Sequence, residues 1–160
     1  MEKIVEIPEG IEIEIENFKV KVKGPKGSLE RDFYPLFKVK KEDNKILVRT
    51  ESERKKIAMA GTMAAHIRNM VTGVTEGFSV KLKIVYMHFP FTVKEKEILV
   101  NLGERVPRKA KVIGDCKIDV KGDEITVSGI SKEDVGDTAA NLEKATWIKA
   151  RDRRVFQDGI

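Results

Sequence analysis

Along residues 11–16 isoleucine and glutamate alternate strictly, with Ile11, Ile13 and Ile15 set against Glu12, Glu14 and Glu16. A period of two sends the two sets to opposite faces of an extended chain, so a half-buried strand is predicted. Phe18, Val20 and Val22 alternate with Lys19, Lys21 and Lys23 in the same way, and Asn17 between the runs suits a turn. Val80, Leu82 and Ile84 alternate with Lys81 and Lys83. Ile118 and Val120 lead into Gly122-Asp123, and Ile125 and Val127 follow it, which predicts a hairpin.

Twice the period lengthens to that of a helix. Ile57, Gly61, Ala64, Ile67 and Val71 fall at spacings of three and four, after Ser52 as a candidate N-cap. The small residues Gly61 and Ala64 predict a helix lying close to a sheet. Val135, Ala139, Leu142 and Ala145 form a second stripe after the candidate cap Ser131, with Asp134 where a capping box prefers Glu or Gln. Gly73 and Gly77 punctuate residues 71–77, which read as a short joint.

These elements repeat. Ile46-Leu47-Val48 before the first helix matches Ile125-Thr126-Val127 before the second. Gly61, Ala64, Ala65, His66 and Ile67 answer to Gly136, Ala139, Ala140, Asn141 and Leu142, and residues 19–24 resemble residues 98–103. An offset near half the chain is too long for a solenoid period. The expected fold class is α+β: two similar tandem domains, residues 1–78 and 79–160, each of antiparallel strands with one packed helix.

Composition narrows the function. Of 160 residues, 36% are charged, above the roughly 25% usual for globular chains. The formal net charge of +5 suits an anionic partner. Cys116 is the sole cysteine, so no internal disulfide forms and a reducing compartment is expected. The first thirty residues hold no apolar signal region, and no run approaches the roughly 18 apolar residues that span a membrane. A soluble, cytoplasmic protein without membrane contact is expected.

Catalytic chemistry is poorly supplied. His66 adjoins Ile67 of the helical stripe, where packing or hydrogen bonding is its natural role, and His88 lies among Tyr86, Phe89 and Phe91 on a strand surface or turn. Two histidines and one cysteine give no spaced metal-ligand set. No nucleophile elbow, phosphate-binding Walker loop or dinucleotide fingerprint occurs. No enzyme activity, cofactor, metal or small-molecule substrate is expected.

Three basic features remain. Lys23-Gly24-Pro25-Lys26-Gly27 is a turn whose glycines would let a phosphate approach, although an ordinary hairpin turn explains it as well. Arg105-Val106-Pro107-Arg108-Lys109-Ala110-Lys111 holds four cations and no acid, and its proline predicts an exposed loop. Lys149, Arg151, Arg153 and Arg154 crowd the start of a tail, opposed within residues 149–154 only by Asp152. Such a tail stays in water or docks on an anion, because burying unpaired charges is too costly, and guanidinium matches phosphate with a fork of donors. All three features can engage a nucleic-acid backbone without specifying sequence.

Four segments carry a resemblance: Lys23-Gly24-Pro25-Lys26-Gly27; Asn69-Met70-Val71-Thr72-Gly73-Val74-Thr75-Glu76-Gly77-Phe78; Asp134-Val135-Gly136-Asp137-Thr138-Ala139-Ala140-Asn141; and Arg154-Val155-Phe156-Gln157-Asp158-Gly159-Ile160. Together they resemble the ribosomal large-subunit protein six family, in its archaeal and eukaryotic branch, over essentially the whole chain. The resemblance implies two similar domains that bind large-subunit rRNA, mostly through the C-terminal one, near the base of the lateral stalk and the factor-binding region. Neighbouring large-subunit proteins are implied there as partners, and Gln157 joins the candidate RNA contacts as part of the tail motif. The chain departs from the family's pattern at Lys144, Ala150 and Arg153, where glutamine, glycine and proline are usual. The alternative reading is a non-catalytic scaffold of two duplicated domains that presents strand edges to protein partners.

Overall fold

The structure is a computed structural model that describes residues 2–16, 18–33, 38–42, 45–49, 54–85, 91–94, 97–100, 106–147, 152, 154–155 and 159–160. The chain divides into two units, Met1–Gly77 and Phe78–Ile160. The first contains β1 (Glu2–Glu6), β2 (Glu12–Glu16), β3 (Lys19–Gly24), β4 (Gly27–Asp32), β5 (Lys38–Glu42), β6 (Lys45–Arg49) and α1 (Arg54–Thr75). The second contains β7 (Phe78–Lys83), β8 (Phe91–Lys94), β9 (Glu97–Val100), β10 (Arg108–Lys111), β11 (Lys117–Lys121), β12 (Glu124–Gly129) and α2 (Lys132–Ala145).

Unit one pairs its strands as β1-β6-β5 and β2-β3-β4, and unit two as β7-β12-β11 and β8-β9-β10, all antiparallel. Each strand of the first unit therefore has a counterpart of the same rank in the second, and each unit closes with its helix. The two tandem α+β halves expected from the paired motifs are present. Ile46 and Val48 on β6 and their counterparts Ile125 and Val127 on β12 are all fully buried.

Alternation sets the inward faces. Ile13, Val20 and Val22 meet Ala60, Met63, Ala64, Ile67, Met70, Val71 and Val74 of α1 in the first core. In the second, Ile84, Ile98, Val100, Ala110, Ile125 and Val127 pack with Val135 and Leu142 of α2. Ser131 caps α2 from an extended backbone, its hydroxyl accepting from the Asp134 N–H at 3.3 Å.

Several expectations need correction. Residues 71–75 are helical, because Met70, Val71 and Val74 continue the buried stripe and outweigh the cost of Gly73 within a helix. Only Glu76 and Gly77 connect α1 to β7. Gly77 stops α1 at φ 77°, where a side chain would be strained, and the Glu76 and Gly77 N–H groups both donate to the Thr72 carbonyl. Gly61 makes no close approach, since a Cβ there would meet nothing within 4 Å; Gly136 is equally open. A tight contact with α1 is instead at Gly24, where a Cβ would lie 2.7 Å from the Val74 side chain. Phe18 precedes β3 and is half exposed, so it is not an inward strand residue. Asn17, Ser52, Tyr86, His88 and Phe89 lie outside the described residues.

Candidate nucleic-acid interface

Lys23 and Lys26 end up serving their own unit. Lys23 stands across from Glu12 in the β2–β3 register, and its ammonium bonds the Glu14 carboxylate at 2.9 Å. That hydrogen bond, then the lysine's charge, holds the Glu14 carboxyl below its usual value. The same bond and the carboxylate's charge raise Lys23. Lys26 occupies the Pro25-Lys26 turn between β3 and β4. Its N–H donates to the Val74 carbonyl at 3.0 Å, and its ammonium donates to the Glu76 carbonyl. No basic residue stands in the last turn of α1, so the turn supplies a cation to the negative end of the helix.

Unit two repeats this device. The Arg108 guanidinium donates to the carbonyl of Ala145 at 3.3 Å and also to that of Trp147, at the C-terminal end of α2. Arg108 to Lys111 form strand β10, paired with β9, rather than a loop. Pro107 sits just before the first paired residue, where its missing N–H removes no ladder bond. Ala110 is buried, whereas Lys109 and Lys111 point to solvent on the opposite face of the strand. Arg105 lies outside the described residues.

The chain after β10 is fastened to α2. Thr138, almost fully buried, accepts from the Ile113 N–H at 3.0 Å and donates to the Ile113 carbonyl. The Asn141 amide donates to the Lys111 carbonyl at 3.1 Å. The motif at 134–141 thus positions the cationic strand while Val135 and Ala139 fill the core. Composition and spacing carried no signal for these anchoring roles. Burial pushes the Cys116 thiol up, opposed by a hydrogen bond with Thr138 and reinforced by Asp134 and Asp115.

The tail is not simply free. Gly159 exchanges both backbone bonds with Val85, at 2.8 and 3.2 Å, and the Ile160 N–H donates to the Thr146 hydroxyl at 3.3 Å. Ile160 packs against the second core. The basic segment is therefore fastened at both ends, at Thr146 and at Gly159–Ile160. Inside it Asp152 accepts from the Arg154 N–H at 2.9 Å and lies 3.8 Å from the exposed Arg154 guanidinium. Lys149, Arg151, Arg153 and Gln157 lie outside the described residues.

The face of β2-β3-β4 that points away from the core has a different balance. Lys19, Lys21 and Lys23 of β3 run between Glu12, Glu14 and Glu16 on one side and Glu30 and Asp32 on the other. Lys19 lies 3.9 Å from Glu30 and 3.8 Å from Asp32. Acids outnumber lysines there, so this face attracts no polyanion. Among the described residues, no cluster of three or more His, Cys, Asp or Glu could hold a metal ion. No described helix is long and apolar enough to cross a membrane.

Two copies of one α+β unit, the second presenting Lys109 and Lys111 on an edge strand and Arg154 beyond α2, define a tandem-domain protein with basic residues on its surface. A family model described as Ribosomal protein L6 matches it twice, over residues 7–77 and 91–159. The chain is similar to large ribosomal subunit protein uL6 of Methanobrevibacter smithii, at 56% identity over 98% of this chain and 91% of the relative. It is also similar to proteins of the same name from Staphylothermus marinus, at 51% over 98% and 90%, and Methanosarcina mazei, at 49% over 99% and 93%. The chain belongs to the ribosomal protein L6 family.

Proposed function

We propose that the chain is a structural constituent of the large ribosomal subunit that binds large-subunit rRNA, chiefly through its second unit, near the base of the lateral stalk and the factor-binding region. The coarse role rests on the family: its members are ribosomal proteins rather than enzymes, and they work in translation on cytoplasmic ribosomes. The finer placement rests on charge. Lys109, Lys111 and Arg154 lie on the surface of the second unit, and its sequence adds Lys149, Arg151 and Arg153. The two candidate lysines of the first unit, Lys23 and Lys26, are engaged with Glu14 and the end of α1, and its other exposed cations, such as Lys40 and Lys45, lie outside the candidate basic features.

The one observation that carries the reading is the double fastening of the basic segment. Holding the two ends of the segment, at Thr146 and at Gly159–Ile160, lowers the ordering cost of binding. Backbone phosphates are the expected ligands, with arginine forks fixing register. Large-subunit proteins at the stalk base are the expected neighbours.

Tethered hydroxyl-radical cleavage tests this placement. Arg154→Cys and Glu14→Cys, each made with Cys116→Ser, carry an iron chelate into reconstituted large subunits. Position 154 is expected to cut rRNA at the stalk base and position 14 to cut it far less. Equal cutting from both positions, or cuts remote from the stalk, would overturn the placement.

A further inference from the structure

Trp147 is the single tryptophan of the chain, and it is 48% exposed although it directly follows a helix end. Its backbone is fixed on both sides. The Trp147 N–H donates to the Lys144 carbonyl at 3.2 Å, and its own carbonyl accepts from Arg108. Thr146 before it is buried and holds the chain end through the Ile160 N–H. The indole thus stands on an anchored base at the surface of the unit.

Its setting is mixed in character. Arg108 brings the start of the cationic strand to the residue that opens the basic segment. Val106, within the first basic run, and Val155, directly after the second, are 70% and 87% exposed. Single exposed apolar residues need no explanation. Here Val106 lies inside one run of cations, and Trp147 and Val155 flank the other. Phosphates alone require only the cations. An unpaired nucleic-acid strand also offers flat apolar bases, and aromatic rings beside basic grooves hold these by stacking.

We infer that Trp147 is a stacking platform for an unpaired base of the large-subunit rRNA, set beside the phosphates that the neighbouring cations engage. The inference rests on the rRNA-binding reading and adds a base contact to it. Stacking neutralises no phosphate, so its contribution to affinity is nearly independent of salt, unlike that of the arginines.

The sole tryptophan reports on itself. Full-length protein is titrated with purified large-subunit rRNA and, separately, with inorganic polyphosphate, which carries charge but no bases. Trp147 emission is expected to quench with rRNA and not with polyphosphate. Trp147→Leu is expected to weaken rRNA binding about 5- to 100-fold with an unchanged salt slope, and Trp147→Phe to retain part of the affinity. Filter retention follows binding in each case. Retained rRNA without selective quenching of the wild-type protein overturns the platform and leaves the function standing, whether or not the variants fold. Failure of the wild-type protein to retain rRNA overturns both.

Discussion

Gly24 and Gly61 show how differently one residue type acts at two places. A Cβ at Gly24 would come 2.7 Å from Val74 Cγ2 and 3.0 Å from the Val74 carbonyl, which is backbone and cannot step aside. Gly24→Ala is expected to destabilise the first unit by about 1 to 3 kcal/mol through overpacking. Gly61 lies inside α1 with open space at its Cβ position. Gly61→Ala is expected to stabilise by roughly 0.5 to 1 kcal/mol, because alanine surrenders less backbone freedom on folding. Urea unfolding of both variants checks the pair, and equal shifts of one sign would contradict the packing of α1 described above. Periodicity alone could not separate them, since it places a glycine on a stripe without showing what lies opposite.

Among the elements, the helix ends are most instructive. Each C-terminus receives a cation from another part of its unit: Lys26 from the turn before β4, and Arg108 from the first position of β10. Arg108→Ala is expected to lower the stability of the second unit by about 1 to 2 kcal/mol, from a lost charged hydrogen bond at a helix C-terminus. Thermal unfolding of the free protein reads it, and an unmoved midpoint would make Arg108 a purely external contact. Strict alternation made β2, β3 and β7 legible, and spacings of three and four made both helices legible. The length of α1 was hidden because glycines at 73 and 77 look alike in sequence, while only Gly77 has left-handed backbone. Strand β10 was hidden because its four residues carry three cations, and its pairing with β9 is a tertiary fact. The docking of Gly159 on Val85 joins residues too far apart in the chain for local pattern to show.

At the scale of the molecule, the duplication supplies two similar frames of nearly equal net charge, and the grouping of their cations distinguishes them. Phosphate contacts release counterions, so each should add roughly 0.7 to 0.9 to the slope of log affinity against log salt. Changing Arg151, Arg153 and Arg154 together to Ala removes three cations from the fastened segment, whereas changing Glu12, Glu14 and Glu16 to Gln alters only the acidic sheet face of the first unit. The decisive measurement is a salt titration of large-subunit rRNA binding by wild type and both triple variants. The arginine variant should bind more weakly, with a slope lower by about two to three units, and the glutamine variant should keep at least the wild-type slope. An unchanged slope in the arginine variant would contradict the account, because the basic segment would then be merely solvated.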